Sequence, residues 1–316
     1  MKKILNKSWI AGLLLAGYTT TSIQAQDMPH FTMYFIQPSI INPAAMTTFE
    51  NINGAFFFNK QMLGFEKSPM VGLLDLGIPV AKTNFYVGFQ ASQDRIGVTT
   101  YSIFTGNFAY RIRLNMKHYL SFGLGVSAKL TNANFTEAPI VNPNDPVFYQ
   151  NADAIWTPDI RLGAYYFSDN VYVGFSVANL FTNSLFFGGT SPSADIRVDP
   201  NDMHFYLNGG WQKKLGRNWK IMPSALMRIS PGAPIQFDIN AMALFKEQFG
   251  FGINYRTTTT LGATIYYQLN KFLVFGYSVN LGLKFNDQAN FTGHEAMIAF
   301  RVRNNKKIIP VDIPRF

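Results

Sequence analysis

The chain has 316 residues, no cysteine, 14% charged and 16% aromatic residues, and a formal charge of +9. Lacking cysteine, it has no disulfides, no thiolate metal site and no cysteine nucleophile. Its basic surplus is scattered, which excludes the clustered footprint of a nucleic-acid binder, and its charged fraction is below the roughly one quarter usual for soluble domains.

Residues 1–25 read as a signal peptide. Lys2, Lys3 and Lys7 form a positive start, Trp9 to Tyr18 a short apolar core, and Ile23-Gln24-Ala25 a small-residue cleavage pattern. The core falls well short of the ~20 apolar residues a membrane helix needs. Residues 26–50 show no alternation and carry Pro29, Pro38 and Pro43, which argues against helix or central strand. Their apolar content (Phe31, Tyr34, Phe35, Ile40, Ile41) predicts an ordered, extended, plug-like segment lying inside or beneath the body formed by the later residues.

From 51 to 302 the chain reads as amphipathic segments of ~10 residues in which apolar and polar positions alternate, the period of a β-strand. The expected strands are Ala55–Met62, Met70–Ile78, Phe85–Ala91, Thr99–Ile112, Tyr119–Leu130, Pro158–Phe167 and Val171–Leu180. They continue as Phe205–Lys214, Trp219–Ile229, Ile235–Phe245, Phe249–Arg256, Leu261–Leu269, Phe272–Leu283 and Thr292–Val302. Soluble sandwiches use strands of about five or six residues. About ten residues, apolar outside and polar inside, suit a membrane-spanning barrel. The reading is therefore all-β: a transmembrane outer-membrane β-barrel of about 14 antiparallel strands, with residues 303–316 as a periplasmic tail.

The connections agree. Such barrels place short turns on the periplasmic side and long loops outside. The two longest connections, Thr131–Thr157 and Phe181–Met203, both follow odd-numbered strands, while the even-numbered connections are short.

Chemistry-bearing motifs are sparse. Asn142-Pro143-Asn144-Asp145-Pro146 and Asp199-Pro200-Asn201-Asp202 lack the ligand spacing of a calcium loop and read as turns. His30, His118, His204 and His294 lie far apart in sequence, and no Gly-x-Ser-x-Gly, HExxH or P-loop pattern occurs. The expectation is a protein with no enzymatic activity, no cofactor and no metal. Alternation turns Arg228, Asp238, Arg256, Lys284, Glu295 and Arg301 inward, where they line a channel, bind a plug, or form ion pairs that stiffen a closed barrel.

Two patches resemble the PorP/SprF family of type IX secretion outer-membrane proteins of Bacteroidetes. The first is Gln26-Asp27-Met28-Pro29-His30-Phe31-Thr32-Met33-Tyr34, followed by Pro38 and Ile41-Asn42-Pro43-Ala44. The second, Gly293-His294-Glu295, opens the last strand. Asn59-Lys60-Gln61-Met62 departs from the family's Arg-x-Gln-Trp, and the glycine after its Asn-Pro-Ala run is missing at Met46-Thr47. The resemblance implies a multi-pass barrel of the cell outer membrane, in contact with lipopolysaccharide, serving type IX secretion. In gliding bacteria it implies export or anchoring of a large secreted adhesin through that partner's C-terminal targeting domain, alongside other secretion components. His30, Phe31, Tyr34, Pro38, Asn42, Pro43, Gly293, His294 and Glu295 are the motif positions it offers as partner contacts. The alternative is a FadL-like passive transporter of apolar small molecules, distinguished by an apolar lumen pocket.

Overall fold

A computed structural model describes residues 30–63, 67–137, 152–186, 193–257, 260–283 and 292–302. The first half of the wall contains β1 (Ile52–Lys60), β2 (Met70–Pro79), β3 (Phe85–Ile96), β4 (Thr99–Arg113), β5 (His118–Ala133), β6 (Ala152–Ser168) and β7 (Val171–Ala178). A separate hairpin, β8 (Thr182–Phe186) and β9 (Ser193–Arg197), follows. The second half has β10 (His204–Trp211), β11 (Lys213–Leu215), β12 (Trp219–Ile229), β13 (Gln236–Phe245) and β14 (Phe249–Arg256). It ends with β15 (Thr260–Gln268), β16 (Leu273–Gly282) and β17 (Thr292–Val302).

Every neighbouring pair is antiparallel, and the sheet closes because β1 pairs with β17, Ala55 opposite Ala299. β10 and β11 both pair with β12 and are interrupted only at Gln212, so they form one wall strand and the barrel has 14. Closure leaves no sheet edge to be satisfied, the condition for backbone to cross hydrocarbon.

The two faces separate cleanly. On β14 and β15, Phe251, Ile253 and Ile265 are more than half exposed, whereas Asn254, Thr264 and Tyr266 are buried. An apolar band of this extent in water would be an association hazard, and lipid is the solvent that accommodates it. The connections at 80–84, 114–117, 169–170, 216–218, 246–248 and 269–272 are all short and share one rim. At the opposite rim β3–β4 and β14–β15 are joined closely, but the longest stretches of sequence separate β1 from β2, β5 from β6, β7 from β10 and β16 from β17 there, which makes it the outer one.

Three expectations change. The first long loop is shorter at both ends, because β5 runs on to Ala133 and β6 starts at Ala152. β4, β5 and β6 have 15, 16 and 17 residues, more than the ~11 a span requires, so this side of the wall rises beyond the membrane. The second loop holds β8–β9 and a 3-10 turn at Pro200–Asp202, where Asp199 accepts from Asn201 N at 3.0 Å.

The third change is the N-terminal segment, which is not extended. It folds as three 3-10 turns, Thr32–Phe35, Pro38–Ile40 and Pro43–Thr48. Pro38 and Pro43 occupy first turns, where a missing N–H costs nothing. The Asn42 side chain accepts from Ala44 N at 3.0 Å and so caps the third. The prolines that exclude regular structure therefore start these turns. Residues 1–29 and 303–316, and with them Lys284 and the sequence patch before His30, lie outside the described residues.

Candidate functional site

Residues 31–40 and 42–49 are all buried, and they lie in the barrel lumen. The segment enters beside the outer end of β1, where Asn59 Nδ2 donates to the His30 carbonyl at 2.8 Å. It leaves at the periplasmic end, where the Arg301 guanidinium lies over the Phe49 ring at 5.5 Å. Twenty residues thus descend through the lumen before the wall begins at Ile52.

Hydrogen bonds from around the wall fasten this segment through both its backbone and its side chains. Glu295 on β17 accepts from Thr32 N at 2.6 Å and from Met33 N at 2.9 Å. Asp75 on β2 accepts from Gln37 Nε2 at 2.7 Å, from Gln90 Nε2 at 2.8 Å and from Ser39 Oγ. Gln90 also donates to the Ser39 carbonyl at 2.8 Å, and Arg161 to the Ile40 carbonyl at 3.0 Å. Ser176 donates to the Ile41 carbonyl at 2.8 Å, while Asn42 Nδ2 reaches the carbonyls of Ala164 and Phe175, each at 3.1 Å. At the lower end Arg111 donates to the Thr47 carbonyl at 3.3 Å, and the Thr47 and Ser121 hydroxyls bond at 2.6 Å. A buried amide or carbonyl left without a partner costs about 1–3 kcal/mol, so each bond resists withdrawal of the segment.

Packing follows the same logic. Phe31 rests on Phe57 with ring centroids 5.2 Å apart, and Tyr34, Phe35 and Met33 join a buried cluster with Leu226, Met242 and Met297. The buried Tyr34 hydroxyl accepts from Asn240 Nδ2 at 3.0 Å. Two glycines make room. A Cβ on Gly163 would collide with Asn42 Oδ1, and one on Gly123 with the Ala44 backbone.

Three of the expected inward charges, Arg228, Asp238 and Arg256, form one ion-paired group beside Glu295, whereas Arg301 lies apart at the periplasmic end. Asp238 accepts from Arg228 Nη2 at 2.8 Å and from Arg256 Nε at 2.7 Å. Two cations on one carboxylate leave a positive excess that the neighbouring Glu295 offsets electrostatically. Breaking such a buried pair is costly because the remaining charge stays desolvated. Among the described residues no cluster of His, Asp or Glu could hold a metal ion.

The family-motif residues fall into two sets. Phe31, Tyr34, Pro38, Asn42, Pro43 and Glu295 are buried together in the lumen, and the His30 carbonyl joins them. Alternation puts His294 at the outer rim, where its Nδ1 bonds the Tyr277 hydroxyl, while the adjacent Glu295 turns inward. Gly293 pairs with Asn280 at that rim. Sequence reasoning missed Asp75, Gln90, Arg111, Arg161 and Ser176 as anchors. Alternation gives the face that a side chain takes, but nothing in it says what an inward side chain meets.

Comparison with solved structures places the fold among outer-membrane channels. The CymD monoaromatic hydrocarbon channel matches at 12% identity and TM-score 0.52, over 85% of this chain and 93% of that one. A Pseudomonas aeruginosa FadL homologue matches at 10% identity and TM-score 0.47, over 84% and 93% of the two chains. The KdgM porin matches at 8% identity and TM-score 0.40, over 79% and 99%. At these identities only the first likeness bears on the argument, and it is one of fold. No curated protein sequence matches the chain. The model of one family, the type IX secretion system membrane protein PorP/SprF, matches residues 23–300, and the chain belongs to that family of outer-membrane barrels.

Proposed function

We propose that this barrel serves type IX secretion as a closed, non-enzymatic platform that supports export or surface anchoring of a large secreted adhesin. The cargo would be held through its C-terminal domain. One observation supports this above the rest: residues 30–49 fill the lumen and are fastened to β1, β2, β3, β4, β5, β6, β7, β13 and β17. A barrel so filled acts as a plugged support, and its binding surface is its outer rim. That rim includes the extended β4–β6 wall, the β8–β9 hairpin and the His294–Tyr277 corner. The motif residues of the N-terminal segment then serve the plug and leave partner contact to the rim.

The test is gentle detergent extraction of the tagged protein from its native outer membrane, with mass spectrometry of what co-purifies. A large secreted protein that is lost on deletion of 182–197 supports the anchoring reading. The likeness of fold to a hydrocarbon channel favours a second reading, passive passage of apolar molecules. A lone barrel carrying an apolar ligand would move the assignment there.

A further inference from the structure

At the periplasmic mouth, at the opposite end of the barrel from the outer rim, lies a cavity of about 150 Å³. Lys220 of β12, Arg301 of β17 and Lys246 of the β13–β14 turn line it, with Glu247, Gln248, Gln268 and Tyr266. Glu247 is the one acidic lining residue; it lies 3.6 Å from Lys214 Nζ and also faces Lys220 across the cavity mouth. Lys220 is buried on the lumen side of β12, while its neighbour Trp219 is exposed on the other face. Three cations against one carboxylate, with the side-chain amides of Gln248 and Gln268 between them, give the lining a net positive charge that is complementary to an anion.

A second feature points the same way. The turn that presents Lys246 and Glu247 holds both in the left-handed region, with φ of 51° and 56°, and Gln248 N bonds back to the Phe245 carbonyl. Two consecutive left-handed residues define the hairpin turn that ordinarily takes Asn-Gly. Two long charged side chains are held there against that preference, at the lip of the cavity. Backbone strain of this kind collects where a side chain has to be aimed.

We propose that this cavity receives a carboxylate side chain from an acidic segment of a periplasmic protein. Its volume admits one such group, and its position admits only a partner approaching from the periplasm. The chain's own continuation past Val302 is a poor occupant, since Arg303, Lys306, Lys307 and Arg315 outnumber Asp312 there. The inference stands apart from the anchoring reading, because it concerns the other end of the barrel.

The test uses the full processed barrel in detergent, with fluorescein-labelled hexaglutamate as probe and hexalysine as control, followed by anisotropy. Hexaglutamate should bind, hexalysine should not, and Lys246→Glu, an exposed turn substitution, should weaken binding by about tenfold or more through charge reversal. Lys220→Gln should do the same in barrels that keep their heat-modifiable gel mobility. Equal binding by Lys246→Glu and the unaltered protein overturns the proposal, as does failure of hexaglutamate to bind at low salt. Displacement of the peptide by far lower concentrations of pyrophosphate would instead make the cavity a phosphate site.

Discussion

Glu295 and Thr32 are separated by 263 positions in the sequence, yet the carboxylate of one accepts the backbone N–H of the other at 2.6 Å. The second carboxylate oxygen takes Met33 N, so one side chain of the last strand caps the first turn of the lumen segment. The two patches by which the chain resembles its family are thus the two halves of a single joint.

Glu295→Ala should loosen that joint without unmaking the wall. Two buried amides lose their acceptor and Arg228 and Arg256 lose a neighbouring negative charge, for a cost of about 3–5 kcal/mol. Hydrogen exchange at residues 32–35 should accelerate by orders of magnitude while β12–β17 stay protected. Unchanged exchange there would mean that the carboxylate does not hold the segment.

Gly163→Val tests what the segment blocks. Its side chain would occupy the space of Asn42 Oδ1, and the same clash forms between Gly123→Val and Ala44. Both glycines face the lumen, so the barrel should still insert, with the segment displaced. In planar bilayers the unaltered protein should be nearly silent and Gly163→Val should conduct ions. Equal conductance would argue that the segment does not close the lumen.

The Asp238 group makes a contrasting prediction. Asp238→Asn leaves Arg228 and Arg256 buried without a countercharge and should cost about 3–5 kcal/mol, read as a lower urea midpoint for the heat-modifiable form. Replacing all three at once with Met and Leu should cost much less, because nothing charged is left desolvated. A triple variant as unstable as Asp238→Asn would contradict this account.

Orientation is open to direct chemistry because the chain has no native cysteine. Pro234→Cys lies in an exposed outer-rim turn and Met116→Cys in a periplasmic one, where Met116 is 79% exposed. A membrane-impermeant maleimide should label the first in intact cells and the second only after the outer membrane is opened. The reverse result would invert the barrel.

Membrane burial of the outer face predicts a depth-dependent cost. Ile253, in the middle of β14, is 66% exposed and lies on the lipid side. Ile253→Arg should destabilise the barrel in vesicles by about 2–4 kcal/mol, against about 0–1 kcal/mol for an arginine at the rim. Equal costs at both depths would count against a hydrocarbon solvent for this face.

The wall was legible in the sequence because alternation is local. A strand of period two reports which side chains share a face, and the composition of each face reports its solvent. Phe251, Ile253 and Ile265 on one side and Asn254 and Thr264 on the other carry that message without any knowledge of neighbours. Strand number, closure and the outer rim came from that pattern and from the lengths of the connections. Strand ends did not, since β5 and β6 continue past the membrane, where apolar alternation gives way to residues such as Asn132 and Asp153 that read as loop.

The contents of the lumen needed the tertiary structure. Inward alternation placed Arg228, Asp238, Arg256 and Glu295 on the lumen face, but a face is a property of one strand and a contact is a property of two segments. Nothing local distinguishes a carboxylate that pairs with arginine, as Asp238 does, from one that caps a turn brought from the other end of the chain, as Glu295 does. Likewise Pro38 and Pro43 excluded regular structure from the N-terminal segment without choosing its alternative. Closure of the wall around that segment made the choice: once buried, its backbone groups needed partners, and compact 3-10 turns with inward side chains supplied them.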